Sequence, residues 1–168
     1  MEPAGCGIKV CLWRQLEGRE GPVFPQFNKG GSSAVGKEVN YYTFAEEDYL
    51  FLKANIEEKR IGNAMTSIAQ NVCERYLKHI ISVFCIELDS TAVLKTHSLR
   101  KILRFIEENL PDFKINKNKV ILSDGYYFSS RYPGDESFFA NGEDVAICWE
   151  AVLETKRAVD HYMQNHKK

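Results

Sequence analysis

No apolar run in this 168-residue chain approaches the roughly 20 residues that a membrane-spanning helix needs, so a membrane protein is not expected. Net charge of one sign is also missing. At a formal −1 and a pI near 6.4, the chain has no global cationic field for non-specific nucleic-acid binding. Any polyanion site must be a local patch. The five cysteines, Cys6, Cys11, Cys73, Cys85 and Cys148, include no CxxC pair and meet no His-rich cluster. That spacing excludes a disulfide framework and a structural zinc site. Cys73, Cys85 and Cys148 fall instead on apolar helix faces and read as small core residues. The start MEPAGCGIKVCLW has no basic stretch followed by a long apolar one, so a cytoplasmic location is the expectation. There is no P-loop, Gly-x-Gly-x-x-Gly, HExxH or Gly-x-Ser-x-Gly. Neither a cofactor nor a metal is expected.

Glycine is unevenly placed: seven of the eleven lie within residues 1 to 40, with Gly-Pro and Gly-Gly breakers and no sustained period. Residues 1–41 read as an irregular leader and 42–168 as the folded domain. Thr43-Phe44-Ala45-Glu46 reads as a capping box opening a helix over 44–58, with Glu46, Glu47 and Asp48 in its first turn as the helix dipole favours. From Ala64 to Phe84, apolar residues recur at steps of three and four. This predicts a long amphipathic helix at the centre of the core.

A third helix is predicted from Thr96 or Ser98 to Pro111, burying Leu99, Ile102, Leu103 and Ile106. A fourth runs from about Lys117 to Ser130, interrupted by Gly125, and a fifth opens at Asn141 or Glu143. No alternating strand pattern follows residue 40. The fold class is therefore all-α, an up-and-down bundle of four to five helices behind an irregular extension.

Charge and aromatic chemistry gather in three places. Arg75, Lys78 and His79 punctuate the central helix; Lys95, Arg100, Lys101 and Arg104 crowd the third, with Arg100 and Arg104 one turn apart on a face; and Arg131 stands before a Pro-Gly turn. Pro133 pushes Tyr132 out of the helical region, so Arg131 is expected near a helix end, capping carbonyls or meeting a phosphate. Convergence of Arg131 with either other group would make a compact anion site in a neutral protein. Tyr126, Tyr127, Phe128 and Tyr132 could stack a base beside it or belong to the core. Of the four histidines, His161 and His166 lie near a polar end of the chain, whereas His97 stands at a helix start.

Together these residues resemble the HEPN family, the higher eukaryotes and prokaryotes nucleotide-binding domain. Ser67 to Lys78 is similar to its core helix, in which Ala-Gln precedes an apolar residue, a glutamate and Leu-Lys. Thr96-His97-Ser98-Leu99 is similar to its Thr-His-x-Leu helix start, and Tyr127 to Pro133 to its Tyr-x-x-x-Arg-Tyr-Pro signature. The three fragments occur in the family's order, and the resemblance covers about residues 42 to 164.

The resemblance implies a helical bundle that usually dimerises, with the Arg-Tyr-Pro region near a cleft that meets nucleotide or RNA. Many members are metal-independent ribonucleases using an arginine and a histidine separated from it by four to six intervening residues. Counted from Arg131, those positions hold Glu136, Ser137 and Phe138, none of which replaces imidazole at neutral pH. The expectation is a non-catalytic module that binds a nucleotide or other phosphate-bearing ligand. It would act as a homodimer or with a nucleotidyltransferase-type partner in a toxin–antitoxin or defence setting. Arg131 would be the anion ligand, Tyr132 its orienting neighbour, His97 a second polar group, and Arg75 and Lys78 cleft cations. The alternative is an endoribonuclease with a non-standard pair, Arg157 and His161.

Overall fold

The computed structural model describes residues 38–126 and 139–166, and among these there are six helices and no strand. Four are long: α1 (Tyr41–Glu57), α2 (Asn63–Phe84), α4 (Leu99–Asn109) and α6 (Gly142–Asn165). Two are single short turns, α3 (Thr91–Lys95) and α5 (Lys117–Ile121). The all-helical bundle expected from the periodicity is what the chain forms.

α2 is the central element, packed against α1 on one side, α6 on another and α4 on a third. Its apolar stripe buries Val72, Cys73, Tyr76, Leu77, Ile80 and Ile81 completely. α4 contributes Leu99, Ile102, Leu103 and Ile106 at steps of three and four, all at most 2% exposed. Each such side chain contributes about 1.5–3 kcal/mol by leaving water, which is why an eleven-residue helix holds its place. The thiols of Cys73, Cys85 and Cys148 are buried and unpaired, and burial pushes those of Cys73 and Cys148 up to about 12. They are core residues, as their apolar positions predict.

Side-chain contacts fix the directions. Tyr42, at the start of α1, meets Tyr76 and His79 in the second half of α2, so those two helices are antiparallel. Phe84, at the end of α2, packs on Tyr162 near the end of α6, while Asn63 at the start of α2 accepts from the amide of Ala140 just before α6. α2 and α6 therefore run the same way. The hydrogen bonds from Asn116 to Glu154 and from Tyr126 to Asp144 bring α5 and its following turn back along α6 toward the starts of both helices.

Several boundaries differ from the sequence-based expectation. α1 begins at Tyr41 because Asn40, not Thr43, is its cap: the Asn40 side chain accepts from the Thr43 amide and the Thr43 hydroxyl accepts from the Asn40 amide, both at 3.0 Å. Thr43 closes the box instead of opening it, and Glu46 is released to bind Lys156 and Tyr76. Asp48 likewise serves Arg75, so neither acid sits in a first turn. Of the expected leader, only residues 38–41 are described: Glu38 and Asn40 bond to Thr43 at the α1 cap, and Tyr41 is the first residue of the helix. The third helix forms as expected, as α4 with Ser98 as the residue before it, and α3 is an additional short helix ahead of the expected start. The fourth is helical as α5 to Ile121 and turns through Leu122 to Gly125, whose φ of +103° suits a residue without Cβ, while its expected stretch 127–130 lies outside the described residues. The fifth opens as expected at Asn141, which caps α6 in a capping box with Asp144.

Candidate functional site

Gln70, Glu74 and Lys78 lie four residues apart on α2 and form a polar stripe facing the turn Thr96-His97-Ser98. Gln70 donates to the His97 carbonyl at 3.1 Å, which fixes the turn's backbone. Glu74 is buried and takes two partners, the Lys78 ammonium at 2.7 Å and His97 Nδ1 at 3.1 Å. Burying a carboxylate is costly unless it is paired and hydrogen-bonded, and here a buried cation and an imidazole supply both. Since a carboxylate only accepts, Nδ1 carries the proton, and Nε2 is the acceptor of the neutral ring. The His97 side chain is 46% exposed, against 8% for Glu74 and 5% for Lys78. The arrangement is a surface imidazole aimed by a buried ion pair. It can hydrogen-bond or exchange a proton with a ligand group.

The same turn is held from the other side by Asp124. Its carboxylate accepts from the amides of Leu99 and Arg100 at 2.9 and 3.2 Å and from the Ser98 hydroxyl at 3.2 Å. Ser98 makes no side-chain cap of its own, so the orphan amides of α4 are satisfied across 25 residues of sequence. Asp124 thereby places the end of the described chain before residue 127 beside His97. At the far end, Ala140 is tied to Asn63 and Asn141 caps α6. Arg131 and Tyr132 lie outside the described residues, as do Tyr127, Phe128 and Glu136 to Phe138.

The remaining residues singled out from sequence separate. Arg75 turns toward α1, where it pairs with Asp48 and stacks over Phe44. Lys78 is buried against Glu74, so its part is to pair with that carboxylate rather than to face a cleft. Arg157 grips Glu154 through Nε and Nη2, at 3.1 and 2.7 Å, and this pairing raises the guanidinium pKa further. His161 faces Asn165 instead, with 3.0 Å between Nε2 and the amide nitrogen. The two side chains share a helix but are engaged with different partners. Arg100 reaches Asp124 at 3.5 Å, whereas Arg104 lines a groove with Lys101.

Glu74, Gln70 and Asp124 were not expected at the site. The four-residue step of Gln70, Glu74 and Lys78 was visible in the sequence and pointed to one polar face on an otherwise apolar helix. No local signal marks Asp124 as a cap for a helix that precedes it. Among the described residues no group of three His, Cys, Asp or Glu side chains could hold a metal ion, and no helix is long and apolar enough to cross a membrane.

An all-helical bundle whose central helix aims a histidine through a buried glutamate–lysine pair defines the class of protein. The particular family follows from comparison with known proteins: the HEPN domain matches residues 41–161, well over half of the chain, and the chain belongs to that family. No curated protein and no solved structure matches it. Membership associates the chain with nucleotide- and RNA-related function.

Proposed function

We propose that this chain is a non-catalytic HEPN-type module that binds a nucleotide or another phosphate-bearing ligand. Arg131 is the anion ligand, Tyr132 orients it, and His97 is the second polar group. Lys78 acts through Glu74, and Arg75 stays on the α1 side. The observation that carries the reading is His97 itself, half-exposed and aimed by Glu74 on the turn that Asp124 docks, three residues before the segment bearing Arg131. The family signature is retained at Arg131-Tyr132-Pro133 while positions 136 to 138 lack histidine, which separates binding from cleavage. Association as a homodimer, or with a nucleotidyltransferase-type partner in a toxin–antitoxin or defence pair, belongs to the same reading.

A second reading is metal-independent RNA cleavage. One feature favours it: a carboxylate-oriented imidazole at a surface is the arrangement used in general acid–base catalysis. One experiment covers both readings. Labelled nucleotide and short RNA are titrated against the full chain, Arg131→Ala, His97→Ala, Arg157→Ala and His161→Ala, and the RNA is recovered in EDTA to look for cutting. Binding reduced at least about tenfold by Arg131→Ala, the scale of a charge-assisted contact, with intact RNA, is expected. Equal binding by wild type and Arg131→Ala removes Arg131 from the site. Cleavage that depends on His97, or on the Arg157 and His161 pair, makes the protein an enzyme.

A further inference from the structure

Most lysines and arginines among the described residues are engaged by an acceptor. Arg75, Lys78, Arg100, Lys117, Lys119, Lys156 and Arg157 are each in an ion pair with a carboxylate that is distant in sequence or one helical turn away. Lys53 and Arg60 pair within their own segments, and Lys114 donates to the Pro111 carbonyl. Lys59, Lys95, Lys101 and Arg104 have no such partner, and three of these four belong to α3 and α4. In a neutral chain rich in acids, unpaired cations concentrated on one pair of helices are a local excess that nothing in the fold requires.

Lys101 and Arg104 do not simply project into water. They are one turn apart on α4 and line a groove of about 330 Å³ between α3 and α4. Its floor is Val93 and the half-buried Phe105, Thr96 offers a hydroxyl, and Glu108 is the one acid on its edge. Lys95 ends α3 immediately before Thr96, and the next residue is His97. Thr96, which lines the groove, thus belongs to the turn that carries the aimed imidazole. A guanidinium fork beside an ammonium and a hydroxyl matches phosphate oxygens, and an aromatic floor suits the flat, apolar parts of a nucleotide.

We propose that the α3–α4 groove is a phosphate-binding subsite: Lys101 and Arg104 hold phosphates of a ligand that extends from the His97 turn. This rests on the reading that the module takes a phosphate-bearing ligand, but it assigns different residues. The phosphates come either from a free nucleotide or from an RNA strand, and the two sources are separable.

The test titrates mant-ATP and a short fluorescein-labelled oligouridine against four full-length proteins by fluorescence anisotropy at several salt concentrations. These are wild type, the double variant Lys101→Gln/Arg104→Gln, Lys59→Gln and Arg131→Ala. Both groove side chains are exposed, and circular dichroism melting checks that the double variant folds like wild type. The double variant should weaken oligouridine binding about tenfold and flatten its salt dependence by about 1.4 in log–log slope, two phosphate contacts' worth for a single strand. Lys59→Gln should change nothing. Loss confined to oligouridine supports the subsite with a strand as its source, and parallel loss of mant-ATP supports it with a nucleotide as its source. A double variant that binds both probes like wild type overturns the subsite, and if Arg131→Ala then loses binding the Arg131 reading stands alone. The reverse pattern keeps the groove and removes Arg131. Equal weakening by Lys59→Gln reduces the effect to net charge and overturns the subsite. Failure of wild type to bind either probe overturns both.

Discussion

His79 shows how much one residue's surroundings decide. It lies on α2 among basic residues, yet it is buried, its ring 5.4 Å from that of Tyr42, and its Nδ1 has no hydrogen-bond partner. Burial holds the imidazole below its ordinary value of 6.5, with Glu38 opposing the shift. The folded protein therefore keeps this ring neutral at a pH where the unfolded chain already binds a proton. The stabilisation is complete above pH 6.5 and is lost as pH falls through the folded value. Glu46 adds a later loss. Burial would raise its carboxyl, but hydrogen bonds from Lys156 and Tyr76 outweigh burial and hold it below 4.5, so its contribution is present above 4.5 and disappears beneath it. Melting temperature followed against pH should begin to drop just under 6.5 in wild type. In His79→Phe the curve should stay level until the carboxylates protonate. Superimposable profiles would show that His79 does not titrate with folding.

Among the elements, α4 carries the most consequence for the site. Its apolar face was legible, because Leu99, Ile102, Leu103 and Ile106 repeat with the helical period and periodicity is a local property. Its start at Ser98 was among the two positions the sequence offered, whereas α3 was not read at all, since five residues are too few to show a period. The α1 start was misread for a chemical reason. Asn40 with Thr43 and Thr43 with Glu46 are both competent boxes, and Glu46 is drawn away by Lys156, a partner 110 residues distant. Asp124 is the cap that sequence could not reveal. Asp124→Ala removes acceptors from two amides and a hydroxyl, and should destabilise the fold by about 1–2 kcal/mol. The same change should loosen the His97 turn, so ligand affinity should fall with stability, whereas Asn40→Ala at the far cap should lower stability alone. Chemical denaturation alongside nucleotide titration of both variants separates the two effects.

At the scale of the molecule, Lys156 joins three helices. Its ammonium, on α6, sits 5.2–5.5 Å from the ring centres of Tyr42, Tyr49 and Tyr76, pairs with Glu46, and reaches Asp160 at 3.2 Å. Burial alone would lower its pKa, but hydrogen bonds to Glu46 and Asp160 raise it instead. Tyr42 completes the ring of contacts by donating to Asp160 at 2.7 Å, and burial together with that bond pushes its hydroxyl up to about 12. Lys156→Met leaves both carboxylates without their cation and should cost about 2 kcal/mol. Hydrogen exchange should then show α1 amides opening ahead of those in α2. If α1 and α2 still exchange together, Lys156 is not what binds α1 to the bundle.

The sequence by itself determined the helical class, the central place of α2, the apolar faces and the family, because each is written in periods and fragments only a few residues long. Tertiary structure alone decided which polar groups meet. Glu74 finds His97 across 23 positions, Asp124 finds Leu99 across 25, and Lys156 finds Glu46 across 110. No local window carries those pairings. They exist because burial of the apolar faces brings the elements together, and a polar group carried inside by that packing must find a partner from whichever helix arrives beside it.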